Sequence, residues 1–233
     1  MKPYYTGNGV RLYHGDSTTV IPLLDVDEVD LVLTDPPYGV NWQSGKRKQQ
    51  FEKINGDTGS NSHKAIIQIV LTLSIERLKS HRHIYVFGPE SFQPYPVGGV
   101  TTLIWDKCMI GPGDLTAPWG PSHEPISFGV KVSSRANRAR GDGRLSARLR
   151  QGSVLRVPRL QGRAVAAHPT EKPVKLLRML IESSSLLDEC VLDPFAGSGS
   201  TLAACILEGR EGIGIEIDER HCEQIAKRLE RGQ

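Results

Sequence analysis

The chain has 233 residues, 38% of them hydrophobic and 24% charged, with a formal net charge of +3. That length suits one α/β domain with a sizeable core and is short for two. There is no apolar run long enough to span a bilayer and no charged segment followed by an apolar stretch at the N-terminus, so a membrane protein or a secreted one is not expected and a cytoplasmic location is.

In chain order, Val10 to His14 reads as a first strand closed by Gly15-Asp16, with a short helix over about 17 to 24. Val29 to Thr34 is a second strand that runs into Asp35-Pro36-Pro37-Tyr38. Two successive prolines cannot continue a central strand, so the tetrapeptide is a loop at that strand's C-terminal end. Residues 39 to 62 are polar and loop-like. Ala65, Ile66, Ile69, Val70, Leu73 and Leu78 recur at helical spacing and predict an amphipathic helix over 63 to 79. Strands follow at His83 to Phe87 and Val100 to Trp105.

From Cys108 to Ala167 the pattern dissolves into Gly, Pro, Ser and Arg, with short strands expected near Ile126 to Val130 and Val154 to Val157. Within it, residues 131 to 163 hold Lys131 and nine arginines (135, 138, 140, 144, 148, 150, 156, 159, 163) against Asp142 alone, a net +9 that leaves −6 on the rest. A basic stripe on an acidic body is an electrostatic footprint for phosphates. A helix over about 173 to 186, a strand at Cys190 to Asp193, a glycine loop, a helix at 199 to 208, a strand at Gly212 to Ile217 and a helix at 219 to 230 complete the chain. Alternating strands and helices imply a mostly parallel sheet covered on both faces, with ligands at the strands' C-terminal ends.

The run Val191-Leu-Asp193-Pro-Phe-Ala-Gly197-Ser-Gly199-Ser-Thr201 follows a strand and opens a helix. Its glycines let a ligand approach the backbone, and the helix start offers unpaired N–H groups. Leu202 stands where a third glycine of G-x-G-x-x-G would be, and no P-loop lysine follows, which disfavours dinucleotides and nucleoside triphosphates. Glu216, at the end of the next strand, can accept hydrogen bonds from two ribose hydroxyls. Cys108, Cys190, Cys205 and Cys222 lack C-x-x-C spacing, so neither a metal site nor a disulfide framework is expected, and Cys205 and Cys222 read as buried thiols.

With Asp35-Pro36-Pro37-Tyr38 and Asp193-Pro-Phe-Ala-Gly-Ser-Gly-Ser200 in one chain, the sequence resembles the DNA amino-methyltransferases, which modify adenine N6 or cytosine N4. The tetrapeptide precedes the glycine loop, the order of that family's permuted β class. His168-Pro169-Thr170-Glu171-Lys172-Pro173, Trp105-Asp106-Lys107, Ser122-His123-Glu124-Pro125 and Gly15-Asp16 resemble further family segments, so the likeness covers about residues 10 to 130 and 168 to 231.

The resemblance implies a Rossmann-like, S-adenosylmethionine-dependent methyltransferase fold. Its sheet is seven-stranded, mostly parallel and circularly permuted, in a single domain over 1–233 with a target-recognition region inserted at 108–167. Residues 10 to 14 then lie beside strand 212 to 217. It implies S-adenosyl-L-methionine as cofactor, held by Asp16, Asp35, Thr170, Lys172, Asp193, Pro194, Phe195, Ala196, Gly197, Ser198, Gly199, Ser200, Thr201 and Glu216.

Asp35, Pro36, Pro37 and Tyr38 are the expected catalytic residues: Asp35 and the Pro36 carbonyl accept from the target amino group, and Tyr38 stacks on a base flipped from the duplex. Expected DNA contacts are Lys46, Arg47, Lys48, Arg135, Arg138, Arg140, Arg144 and Arg148. The implied partners are double-stranded DNA, a second subunit and a cognate restriction endonuclease, in a nucleoid-associated cytoplasmic protein. Asp rather than Ser at position 35 leans toward site-specific adenine-N6 methylation. Cytosine-N4 methylation is the alternative, and a catalytically idle DNA-binding module the alternative of another class.

Overall fold

The computed structural model describes residues 1–26, 29–37, 61–88, 97–111, 116, 118–131, 151–160 and 171–231. In chain order these form β1 (Tyr5–Gly7), β2 (Val10–His14), α1 (Ser17–Val20) with a 3-10 turn at Ile21–Leu23, β3 (Val29–Thr34), α2 (Asn61–Arg77), β4 (Leu78–Phe87), β5 (Val97–Asp106), β6 (His123–Lys131), β7 (Val154–Arg156), α3 (Val174–Ser184), β8 (Cys190–Asp193), α4 (Ser200–Glu208), β9 (Glu211–Glu216) and α5 (Glu219–Glu230). Among the described residues no helix is long and apolar enough to cross a membrane.

The strands make one sheet in the order β1-β2-β9-β8-β3-β4-β6-β5-β7. It has nine strands, where seven were expected. The seven in the middle correspond to the expected set, and three-residue strands extend each edge: β1 pairs antiparallel with β2, and β7 pairs parallel with β5. β7 answers to the short strand expected near Val154 to Val157, whereas β1, three residues long, carries no periodicity that a sequence reading can detect. The N-terminal strand lies where the permutation requires it, with Val10 opposite Gly212 and His14 opposite Glu216 in parallel register. β6, from within 108–167, is an integral strand between β4 and β5.

β2, β9, β8, β3 and β4 run parallel, and their side chains alternate between two cores. Leu12, Leu31 and Leu33 pack with α3, α4 and α5 on one face, while Tyr13, Val32 and Ile215 pack with α1 and α2 on the other. All six residues of β3 are buried, as an interior parallel strand covered on both faces must be.

The helix at 61–77 buries a different stripe from the expected one. Ile67, Val70, Leu71, Ser74 and Ile75 are buried, at i, i+3, i+4, i+7 and i+8, whereas Ile66 and Ile69 are exposed. Ser74 fits the stripe because its hydroxyl donates to Val70 O at 2.7 Å. Leu78 belongs to β4, opposite Val29, so the chain passes from helix to strand without a loop. Near that junction Asp30 is buried and accepts from Lys79 at 2.8 Å, Arg82 at 3.0 Å and Cys190 N–H at 3.1 Å. Lys131, counted in the basic stripe, donates to the carbonyls of Glu76 and Leu78 instead of facing outward.

Candidate active site

The C-terminal ends of the parallel strands bring four acidic positions to one edge of the sheet: Asp16 after β2, Glu216 ending β9, Asp193 ending β8 and Asp35 after β3. β3 and β8 are neighbours, with Leu31 opposite Val191 and Val32 opposite Leu192. Thr34 and Asp193 join the two ends directly, Thr34 Oγ1 donating to Asp193 Oδ1 at 2.8 Å. The rigid Asp35-Pro36-Pro37 turn and the glycine loop therefore spring from adjacent strands, about 5 Å apart in sheet geometry.

Asp193 is 3% exposed and also accepts from Phe195 N–H at 3.1 Å and from Thr201. Burial pushes its carboxyl up to about 6, against the lowering effect of those donors. It sits beneath the loop as a brace. Pro194, Ala196, Gly199, Ser200 and Thr201 are buried by the protein, while Phe195, Gly197 and Ser198 reach the surface. Gly197 has φ +52°, and a Cβ there would meet only Phe195 O at 3.8 Å, so that side of the loop is open to a close approach. Gly199 has φ +75°, and a Cβ there would stand 2.7 Å from Ile225 Cγ2, so only glycine lets α5 pack under the loop.

Glu216 is held by two backbone donors: Gly197 N–H to Oε2 and Asp218 N–H to Oε1, both at 2.9 Å. His221 Nδ1 also lies 3.6 Å from Oε1, and the Glu216 carboxylate holds the His221 imidazolium above its ordinary range. Gly15 N–H donates to Glu216 O at 2.9 Å, bringing the Gly15-Asp16 turn alongside. Asp16 caps α1, accepting from Thr18 N–H at 2.8 Å and Thr18 Oγ1 at 2.7 Å. Ser17 Oγ donates to Pro194 O at 2.5 Å and ties α1 to the glycine loop.

Lys172 is placed on Asp35. Its Nζ lies 2.6 Å from Asp35 Oδ2 and 2.9 Å from Glu124 Oε1, and 5.0 Å from the centroid of the Phe87 ring. The two carboxylates hold the Lys172 ammonium above the usual lysine range although burial opposes it. Glu124 Oε2 takes Lys107 Nζ at 3.0 Å, and the two lysines hold the Glu124 carboxyl below its ordinary range against desolvation. Glu171 Oε1 pairs with Arg228 at 2.7 Å, and Arg228 also donates to Ser198 O and Ser200 Oγ on the glycine loop. Among the described residues, Glu171 Oε2 is buried and has no hydrogen-bond partner.

Of the expected site residues, the structure brings together Asp16, Asp35, Pro36, Pro37, Lys172, Asp193 to Thr201 and Glu216. Tyr38, Lys46, Arg47, Lys48, Arg135, Arg138, Arg140, Arg144, Arg148 and Thr170 lie outside the described residues. Sequence reading missed Glu124, Lys107 and Glu171 as members of this edge. Glu124 and Lys107 stand in the quoted segments Ser122 to Pro125 and Trp105 to Lys107, but only the pairing of β5 with β6 brings them together.

A family model described as DNA methylase matches residues 131–228. The chain is 26% identical to the Type II methyltransferase M2.DpnII of Streptococcus pneumoniae, over 98% of this chain and 92% of that one. It is 25% identical to the DNA adenine methyltransferase YhdJ of Escherichia coli (strain K12), over 98% and 86%. Among solved structures, the M1.HpyAVI–SAM complex superposes with a TM-score of 0.67 at 21% identity, over 94% of this chain and 98% of that one.

Proposed function

We propose that this chain, similar to DNA methylases over nearly its whole length, is one of them and transfers the methyl group of S-adenosylmethionine to the exocyclic N6 of adenine at defined sites in double-stranded DNA. The observation that carries this reading is the junction of β3 and β8. An acceptor-bearing Asp35-Pro36-Pro37 turn and an open glycine loop start side by side, tied by the Thr34–Asp193 hydrogen bond. Likeness over nearly the whole chain to a DNA adenine methyltransferase supports adenine as the base. The Type II methyltransferase relatives support a defined recognition site and pairing with a cognate endonuclease.

The residues present fit the cofactor. Glu216, braced by two backbone N–H groups, is a fixed acceptor for ribose hydroxyls, and Gly197 leaves room for close approach. Glu171, whose Oε1 accepts from Ser200 Oγ at 3.4 Å, offers its other oxygen as an acceptor for the ammonium of the methionine end. Asp193 shapes this cradle from below without touching the ligand. When bound, the cofactor supplies an electrophilic methyl on a sulfonium.

An exocyclic amino nitrogen is a poor nucleophile because its lone pair is delocalised into the ring. The Asp35 carboxylate and the Pro36 carbonyl accept its two N–H bonds and turn the lone pair out of the ring plane toward the methyl. Pro36 and Pro37 fix the backbone, so these acceptors need no reorganisation during transfer. Tyr38 stacks on the flipped base, and the basic residues after it and in 131–163 bind phosphates. The product nitrogen is acidic enough to lose its proton without a strong base, so most of the rate gain comes from positioning.

The test is to incubate duplex DNA with the protein and methyl-labelled cofactor, then digest to nucleosides. Label in N6-methyladenine is expected. Label in N4-methylcytosine alone would move the reading to cytosine, and no label at all would reject it.

A further inference from the structure

We infer that Glu124 is a positioning residue for methyl transfer: acting through Lys172, it fixes the Asp35 carboxylate. The inference rests on the proposed amino-methyltransferase reading.

Topology makes the arrangement specific. β4 lies between β3 and β6, and its last residue, Phe87, pairs with Ile126 of β6. Lys172, just before α3, places its ammonium over the Phe87 ring and reaches across β4, meeting Asp35 beyond β3 on one side and Glu124 of β6 on the other. Neighbouring strands are about 5 Å apart, so the carboxylates spring from strands separated by about 10 Å, and a cation between them can touch both. The Lys172 side chain is 9% exposed and that of Glu124 15%, so solvent screens the contacts weakly.

Two carboxylates on one lysine answer a conflict in the chemistry. As the methyl moves, positive charge develops on the amino nitrogen, and the Asp35 carboxylate stabilises it. A lysine bound to Asp35 alone would hold that carboxylate in place but cancel its charge. Glu124 shares the ammonium, so Nζ is held from two sides and is not drawn onto Asp35 alone. Lys107, on the far oxygen of Glu124, steadies it from the outer side, with its Nζ 5.1 Å from the Trp105 ring centroid. Among the described residues, the charged groups around Asp35 include Lys172 ahead of α3, Glu124 on β6, Lys107 after β5 and Asp193 at the end of β8.

The experiment uses the full chain with Glu124→Gln, Lys172→Met and Lys172→Arg. For each, cofactor affinity is measured by titration, and single-turnover methyl transfer is measured at saturating cofactor and duplex DNA across pH. Glu124→Gln should bind cofactor as wild type does but transfer the methyl on the order of 10- to 100-fold more slowly, the scale of a misplaced catalytic group. Lys172→Met should also slow transfer, and the acid limb of its rate profile should move to higher pH, because Asp35 loses a cation that favours its charged form. Lys172→Arg retains the cation, so its acid limb should stay in place while its rate falls. Glu124→Gln removes a competing anion and should not move that limb upward. If Glu124→Gln is recovered unfolded, the two Lys172 variants carry the test through their contrast in pH profile.

Wild-type transfer in Glu124→Gln would overturn the inference. So would a Lys172→Met protein that loses cofactor affinity while transferring at the wild-type rate once saturated, since Lys172 would then be a cofactor ligand. Absence of transfer in the wild type is a separate outcome that rejects the functional reading itself.

Discussion

Asp193 can be tested by replacing it with asparagine. It is 3% exposed, and Oδ1 alone takes both Thr34 Oγ1 and Phe195 N–H, at 2.8 and 3.1 Å. A side-chain amide at this position would keep that acceptor. The substitution therefore removes a charge and few hydrogen bonds. Desolvation, the largest influence on Asp193, raises its carboxyl from 3.8 to about 6. The folded chain then holds this proton more tightly than the unfolded chain does. Stability present below pH 3.8 is lost as pH rises through about 6 and stays lost above it. A shift of two units corresponds to about 3 kcal/mol. Asp193→Asn should accordingly be more stable than wild type by about 3 kcal/mol at pH 7.5, a gain that shrinks below about 1 kcal/mol at pH 4. Urea unfolding of both proteins between pH 4 and 8 measures this directly. A stability difference that does not vary with pH over that range would refute the reasoning, because Asp193 would then carry no charge at a cost. Cofactor affinity should be unchanged in the variant, since Asp193 braces the loop from beneath.

Two further substitutions probe the cradle and the permutation. Glu216→Gln removes the charge and turns an N–H₂ against either Gly197 N–H or Asp218 N–H, so cofactor affinity measured by calorimetry should fall about 10- to 100-fold, the cost of losing hydrogen bonds to a charged group. A change below twofold would show that Glu216 holds only the loop. Leu12→Ala opens a cavity in a fully buried position of β2 and should cost about 2 to 5 kcal/mol in urea unfolding. A cost near zero would mean that the N-terminal strand is not integral to the sheet.

Much of this edge was legible in the sequence because its markers are local. Asp35-Pro36-Pro37 must leave a strand, and a glycine run between strand and helix must turn there, whatever the rest of the chain does. Their order along the chain carried the permutation, and β2 beside β9 follows from it. The α2 face was misread because Ile66 and Ile69 are apolar yet exposed, while Ser74 is polar yet buried through a bond to its own helix. Periodicity weighs residue types and cannot see that exception. Lys172 was placed on the cofactor side by resemblance, and its ion-pair partners, which arrive from β3 and β6 far away in sequence, were not foreseen. Contacts of that separation are set by sheet order, which no local pattern encodes.

Sheet order also bears on how an acidic site can serve a polyanionic substrate. The edge gathers Asp16, Asp35, Glu124, Asp193 and Glu216, carboxylates suited to a sulfonium and to charge developing on nitrogen, while DNA presents phosphates that such charges repel. Each carboxylate here is tied to close partners: Asp35 and Glu124 to Lys172, Glu216 to two backbone N–H groups, Asp16 to Thr18, and Asp193 is buried with its carboxyl raised. Paired charges have short-ranged fields, and at physiological salt what escapes decays over about 8 Å. A phosphate further away than that is governed by the basic segment 131–163, with its net +9, more than by the site. On the proposed function, the two requirements fall to different parts of the chain, the carboxylates of the site paired at contact distance and the arginines acting at long range. Raising ionic strength should therefore weaken DNA binding steeply while leaving cofactor binding little changed, and parallel salt titrations of the two affinities would separate these contributions.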